Sequence, residues 1–148
     1  MGVDVVTTTD LALPRERVWA FASDPDNAPR WYSNIRSVEW LTPHPLAVGS
    51  RLAFVASFLG RRLAYTYEVR ELVEGSRLVM STDAGPFPME TTYVFEELSS
   101  GGTRMTLRNR GEPSGFAKLA TPALAAAVRR ANQKDLALLQ RVLEGGDV

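Results

Sequence analysis

Between Thr121 and Glu144 runs the one long helical pattern of this chain, and it comes last, after six consecutive segments that read as strands. Ala125, Val128, Leu136, Leu139 and Leu143 share one face of that helix, while Arg130, Lys134, Arg141 and Glu144 share the other. A helix with a single apolar stripe has to cover a surface. The only surface available is the sheet made by Ile35 through Arg110. A long helix clasped by a curved antiparallel sheet leaves a hollow between the two, and a functional site is expected there.

Length and composition narrow the partners. With 148 residues, 45% of them apolar, the chain has enough material for one core and too little for two comfortable domains. A single domain over residues 1–148 is expected. The 17 basic and 17 acidic residues balance and form no Lys/Arg-rich run, so the electrostatic drive for nucleic-acid binding is missing and no such partner is expected. The absence of cysteine excludes disulfides, thiolate metal sites, Fe–S clusters and cysteine nucleophiles. His44, the only histidine, lies between Pro43 and Pro45, so a metal site would rest almost wholly on carboxylates; neither metal nor cofactor is expected. Met1 to Val6 lacks the basic start of a signal peptide, and no apolar run approaches the roughly 20 residues of a membrane span. A soluble, cytoplasmic chain without membrane insertion is the expectation, and its oligomeric state is open.

The elements read in order as a strand, two short helices, six strands and the long helix. Val3 to Leu11 is rich in β-branched residues and ends near Pro14, which suits the first turn of a helix through Val18 and Phe21. Asp24-Pro25-Asp26 offers a cap with proline at the first helical position, and a second short helix is expected to run to about Arg30. Leu52, Phe54, Ala56 and Phe58 alternate with Arg51, Ala53, Val55 and Ser57. Leu63, Tyr65, Tyr67 and Val69 alternate in the same way on the return strand after a turn at Leu59-Gly60. Two neighbouring strands therefore share an aromatic inner face. Leu78 and Met80, then Met89, Thr91, Tyr93 and Phe95, then Met105, Leu107 and Asn109 continue that face. Asp83 to Pro88 reads as a rigid connection, because its prolines and glycine restrict the backbone.

Taken together, the Pro14-to-Phe21 segment with Asp24-Pro25 and Trp31, the Gly85-Pro86-Phe87-Pro88 turn, the Gly102-Thr103 hairpin, the Gly111-Glu112-Pro113 exit and the closing Asn132-to-Glu144 helix resemble the polyketide cyclase/dehydrase branch of the START-like (SRPBCC) superfamily. The resemblance covers nearly the whole chain, through motifs that mark turns and packing positions and not a reaction. It implies an α+β helix-grip fold: a seven-stranded antiparallel sheet wrapped around the C-terminal helix, two short helices after the first strand, and a deep apolar cavity. It also implies a small hydrophobic ligand such as a lipid, sterol or polyketide-like molecule, on which a minority of members act.

The candidate ligand-binding residues on the sheet are Phe54, Phe58, Tyr65, Tyr67, Met80, Met89, Tyr93 and Asn109. Val128, Asn132 and Leu136 face them from the helix, and Trp31 and Tyr32 stand where the resemblance places one rim of the cavity entrance. Each tyrosine taken alone reads as a core aromatic with a satisfied hydroxyl; three on adjacent inward faces point to a lined cavity in which a phenol orients a ligand oxygen. The methionines supply adaptable shape. Trp31 either gates a ligand or staples the helices to the sheet, and the second is the simpler role. Asn132 interrupts the apolar stripe, and a buried amide without partners costs about 1–3 kcal/mol. Asn109, a tyrosine hydroxyl, water or a ligand are its possible partners, with a structural hydrogen bond ranking ahead of a ligand contact. Asp135 either lines the cavity edge or pairs with an arginine outside, and Glu90 and Glu96 are expected to face solvent.

No catalytic set can be read, since the only histidine has no recognisable nucleophile beside it. Three functions are therefore open: a binding or carrier protein for a small hydrophobic molecule, a cyclase- or dehydratase-type enzyme acting on one, and a protein-interaction module of the same fold. A cavity carboxylate with a raised pKa favours the enzyme, a cavity without acids or bases favours the carrier, and a filled core with a large exposed apolar patch favours the module.

Overall fold

The computed structural model describes residues 2–58, 61–83, 88–113 and 119–145, with the backbone alone at positions 58 and 61. The turn expected at residues 59–60 and most of the connection expected at 83–88 lie outside these residues. Seven strands form one antiparallel sheet: β1 (Val3–Leu11), β2 (Ile35–Trp40), β3 (Arg51–Phe58), β4 (Arg61–Val73), β5 (Arg77–Thr82), β6 (Met89–Glu97) and β7 (Thr103–Gly111). Their spatial order is β1-β7-β6-β5-β4-β3-β2. Consecutive strands from β2 to β7 are neighbours, as short connections demand. The exception is the step from β1 to β2, which joins opposite edges of the sheet. Helix α1 (Arg15–Ala22), a 3-10 turn (Pro25–Asn27) and helix α2 (Ala28–Trp31) make that crossing. Asp24 caps the turn by accepting from the Asp26 N–H at 3.0 Å. Pro14 is the N-cap of α1, one position before the expected first turn.

The inward faces follow the alternation of the sequence. Leu52, Phe54, Val69, Leu78, Met80, Tyr93, Phe95, Met105 and Leu107 are all buried in one core. A bulge between Val69 and Glu71 changes the phase of β4, so that Leu72 follows Val69 onto the core side while Glu71 stays exposed. Leu63, at the far end of the same face, remains partly exposed.

Helix α3 (Thr121–Glu144) has the expected bounds, and Pro122 stands in its first turn, where no intrahelical bond is lost. Its C-terminal half buries Leu136, Leu139 and Leu143 in the core, each worth about 1.5–3 kcal/mol relative to an exposed position. Its N-terminal half packs Leu124, Ala125 and Val128 on Val3 and Val5 of β1. The Glu144 carboxylate accepts from the Ala12 N–H at 2.8 Å, and Gln140 donates to the Asp10 carbonyl at 3.2 Å. The helix is thereby held along the β1 edge. The outer sheet face carries charge, with bidentate Arg104–Asp10 and Arg108–Asp4 pairs between β7 and β1.

Candidate functional site

Where α3 leaves the inner sheet face uncovered, a cavity of about 180 Å³ opens. Tyr32 and Ile35 wall it from the link between α2 and β2; Phe54 and Ala56 come from β3, Tyr65 and Tyr67 from β4 and Met80 from β5. Thr91 and Tyr93 of β6 and Asn109 of β7 complete it. It is smaller than the 300–1,000 Å³ typical of ligand pockets. Aromatic rings crowd its wall: Phe54 and Tyr67 pack edge to face at 5.7 Å, and Tyr93 packs against Trp31 at 5.8 Å. A larger depression of about 610 Å³ lies at the end of β1, β6 and β7. Asp4, Asp83, Glu90, Arg110 and Glu112 border it and it is open to solvent, so it offers an apolar ligand little burial.

Seven of the twelve residues expected from the sequence reach the cavity wall or touch it through a hydrogen bond: Phe54, Tyr65, Tyr67, Met80, Tyr93 and Asn109 directly, and Asn132 through Asn109. The others do not. Trp31 is fully buried behind the wall, its ring tilted against Tyr32 at 4.1 Å, a position that suits stapling α2 to the sheet. Its indole N–H finds no hydrogen-bond partner among the described residues. Met89 and Val128 belong to the small cluster around Val3 and Val5, and Leu136 is closed into the main core. The side chain of Phe58 lies outside the described residues. Among the described residues the cavity is thus walled by the α2–β2 link and not by α3, because the helix is drawn to β1. Ile35, Ala56 and Thr91 line the cavity beyond the residues expected from the sequence, and Tyr32, placed at the rim by the resemblance, lines it too. Ala56 and Thr91 stand at inward positions of the strand alternation.

Two hydrogen-bonded groups organise the wall. The hydroxyls of Tyr32 and Tyr93 are 2.6 Å apart. On the other side the Asn132 Nδ2 donates to Asn109 Oδ1 at 2.5 Å, and the Asn109 Nδ2 donates to Thr91 Oγ1 at 2.8 Å. The buried amide of Asn132 is therefore satisfied within the protein. Burial pushes the phenols of Tyr32, Tyr67 and Tyr93 upward, and the neighbouring hydroxyls of Thr91 and Tyr32 moderate the shifts of Tyr67 and Tyr93. All three are neutral at ordinary pH.

Asp135 neither lines the cavity nor meets an arginine. It is buried behind Tyr32, where its Oδ1 accepts from the Ser33 N–H at 3.2 Å and from the Ser33 hydroxyl at 3.1 Å. Burial holds its carboxyl above the usual range, against the opposing effects of those two bonds and of Lys134. Glu90 faces outward and meets Arg110 at 3.4 Å, and Glu96 is exposed. His44 is exposed and stacks on Trp40 at 3.7 Å, remote from the cavity wall. Among the described residues no three His, Asp or Glu side chains converge as a metal site would require, and no helix is long and apolar enough to cross a membrane.

A sequence model of the family described as "Polyketide cyclase / dehydrase and lipid transport" matches residues 2–144. The chain belongs to this family. The helix grip of this polyketide cyclase/dehydrase family member recurs in solved structures. TTHA0849 from Thermus thermophilus is 21% identical, covers 98% of this chain with 99% of its own, and superposes with a TM-score of 0.80. The Zhui aromatase/cyclase from Streptomyces sp. R1128 is 16% identical over 95% of this chain and 93% of its own, also at 0.80. The di-domain ARO/CYC BexL from the BE-7585A biosynthetic pathway is 18% identical, with 95% of this chain matching 46% of BexL at 0.80. At these identities the likeness shows the fold. A comparison with curated protein sequences finds no match.

Proposed function

We propose that this polyketide cyclase/dehydrase family member binds a small hydrophobic molecule, of lipid, polyketide-like or aromatic kind, in the cavity between the α2–β2 link and strands β3 to β7. The chain is proposed to work as one domain, soluble in the cytoplasm, with burial supplying affinity and a few hydroxyls supplying orientation. The observation that carries this reading is the wall itself, in which no Asp, Glu, Lys, Arg or His occurs among the described lining residues. Removing an apolar ligand from water is favourable there, and no unpaired charge opposes it. A second reading, an enzyme of cyclase or dehydratase type, draws support from Asp135, whose raised carboxyl lies close enough to Tyr32 and Tyr93 to raise their pKa values further.

Binding of an apolar fluorescent probe to the purified protein tests the first reading. Ala56→Phe adds a ring at the cavity wall, and it is expected to abolish probe binding while the thermal melt stays cooperative. Absence of probe binding in the native protein, or binding unchanged in the variant, refutes the reading.

A further inference from the structure

The direction of the hydrogen bonds along the wall indicates what the cavity offers a ligand. Asn132 donates to Asn109, and Asn109 donates to Thr91. The Thr91 hydroxyl, which accepts from Asn109, lies beside Tyr67 and moderates the upward shift that burial gives its phenol. The Tyr67 hydroxyl is part of the cavity lining, where its O–H can turn toward a ligand oxygen. The Tyr32–Tyr93 pair adds to this, because only one of its two protons is used at the 2.6 Å contact. The cavity thus presents unspent hydroxyl donors from two sides, and its described lining carries no anion or cation.

Volume sets the size of the occupant. A cavity of roughly 150 Å³ lined by apolar side chains holds a single benzene. At about 180 Å³, this one suits one aromatic ring with a short substituent, and a larger molecule would extend out through its mouth. A charged group held inside finds no counter-charge among the described lining residues, which disfavours it. An amine that only donates would leave the Tyr67 proton unpaired.

We propose that the cavity takes a neutral one-ring carbonyl compound, an aryl ketone or aldehyde, whose oxygen accepts from the Tyr67 hydroxyl. This rests on the ligand-binding reading above and specifies its chemistry. The two lone pairs of a carbonyl oxygen suit a site where a second phenol proton is available from the Tyr32–Tyr93 pair.

Calorimetric titration with acetophenone, with its carbon isostere α-methylstyrene, with benzoate and with 2-acetonaphthone separates the elements of this proposal. Acetophenone is expected to bind about five- to tenfold more tightly than α-methylstyrene, the contribution of one net hydrogen bond. Tyr67→Phe is expected to remove that preference and leave the affinity for α-methylstyrene within about twofold. Benzoate is expected not to bind, and 2-acetonaphthone to bind more weakly than acetophenone. Equal affinity of acetophenone and α-methylstyrene in the native protein overturns the proposal, as does a preference that survives Tyr67→Phe or tighter binding of the two-ring ketone. Should Tyr67→Phe fail to fold, the native preference between the two isosteres decides alone. Binding of the apolar fluorescent probe without binding of either one-ring compound overturns the carbonyl proposal only, whereas failure of every probe overturns the ligand-binding reading with it.

Discussion

Replacing Asn132 with leucine sets two effects of similar size against each other, and the contact with Asn109 decides the outcome. The two side chains have the same number of heavy atoms, so the exchange opens no cavity at this buried position. Two polar atoms become methyl groups, a gain of roughly 1.6 kcal/mol at about 0.8 kcal/mol per group. Against this, Asn109 Oδ1 loses its donor at 2.5 Å, and an acceptor left unsatisfied costs about 1–3 kcal/mol. Asn132→Leu alone is therefore expected to lie within about 1.5 kcal/mol of wild type. In an Asn109→Leu background no acceptor remains and the Asn132 amide has lost its partner, so the same exchange is expected to deliver at least the full gain. The difference between the two effects is a coupling energy of about 1–3 kcal/mol, and 2 kcal/mol of it corresponds to roughly 4–8 °C in Tm for a protein of this size. Urea melts of the wild type, both single variants and the double variant, followed by far-UV circular dichroism, measure it. Disturbance of Thr91 by Asn109→Leu occurs on both sides of the comparison and cancels. A coupling below about 0.5 kcal/mol refutes the assignment of Asn109 as the partner that satisfies the helix amide.

Asp135→Asn keeps an oxygen for Ser33 and removes the buried charge. Because burial raises the folded-state pKa of Asp135 above 3.8, the folded protein holds that proton more tightly, and the contribution of this group to stability falls as pH rises through the raised value. The advantage of the variant over wild type is thus expected to be larger at pH 7 than at pH 4 in parallel urea melts, and an equal or reversed difference counts against a raised carboxyl. Asp4 and Asp10 have the opposite sign, since hydrogen bonds from Arg108 and Arg104 lower them and their support is lost as pH falls below about 3.8; both are present in the two proteins and drop out of the comparison. Gly102→Ala places a Cβ 2.4 Å from the Leu11 carbonyl oxygen, so the β6–β7 hairpin has to move off the end of β1, at a cost of roughly 1–3 kcal/mol. An unchanged thermal melt argues against so close an approach.

Much of the fold and part of the site follow from local pattern alone. The period of two in Leu52-Phe54-Ala56, Tyr65-Tyr67-Val69 and Thr91-Tyr93-Phe95 assigns each side chain to a face before any contact is known, because alternation is a property of the extended backbone. The stripe on α3 and the capping signal at Asp24 are local in the same sense. Three features depend on tertiary structure. The bulge at Val69–Glu71 shifts the phase of one strand against its neighbour, which no single strand encodes. The place of α3 along β1 depends on contacts such as Ala12 with Glu144, 132 positions apart, and moves Val128 and Leu136 away from the cavity they were expected to line. The Tyr32–Tyr93 bond joins residues 61 apart and the Asn109–Asn132 bond joins sheet to helix, so which protons remain for a ligand is settled only when the elements meet. The sequence by itself determined which side chains face inward; cavity volume and unspent donors came from tertiary packing, because both are differences between the space and hydrogen-bonding capacity that these residues bring and what their neighbours take up.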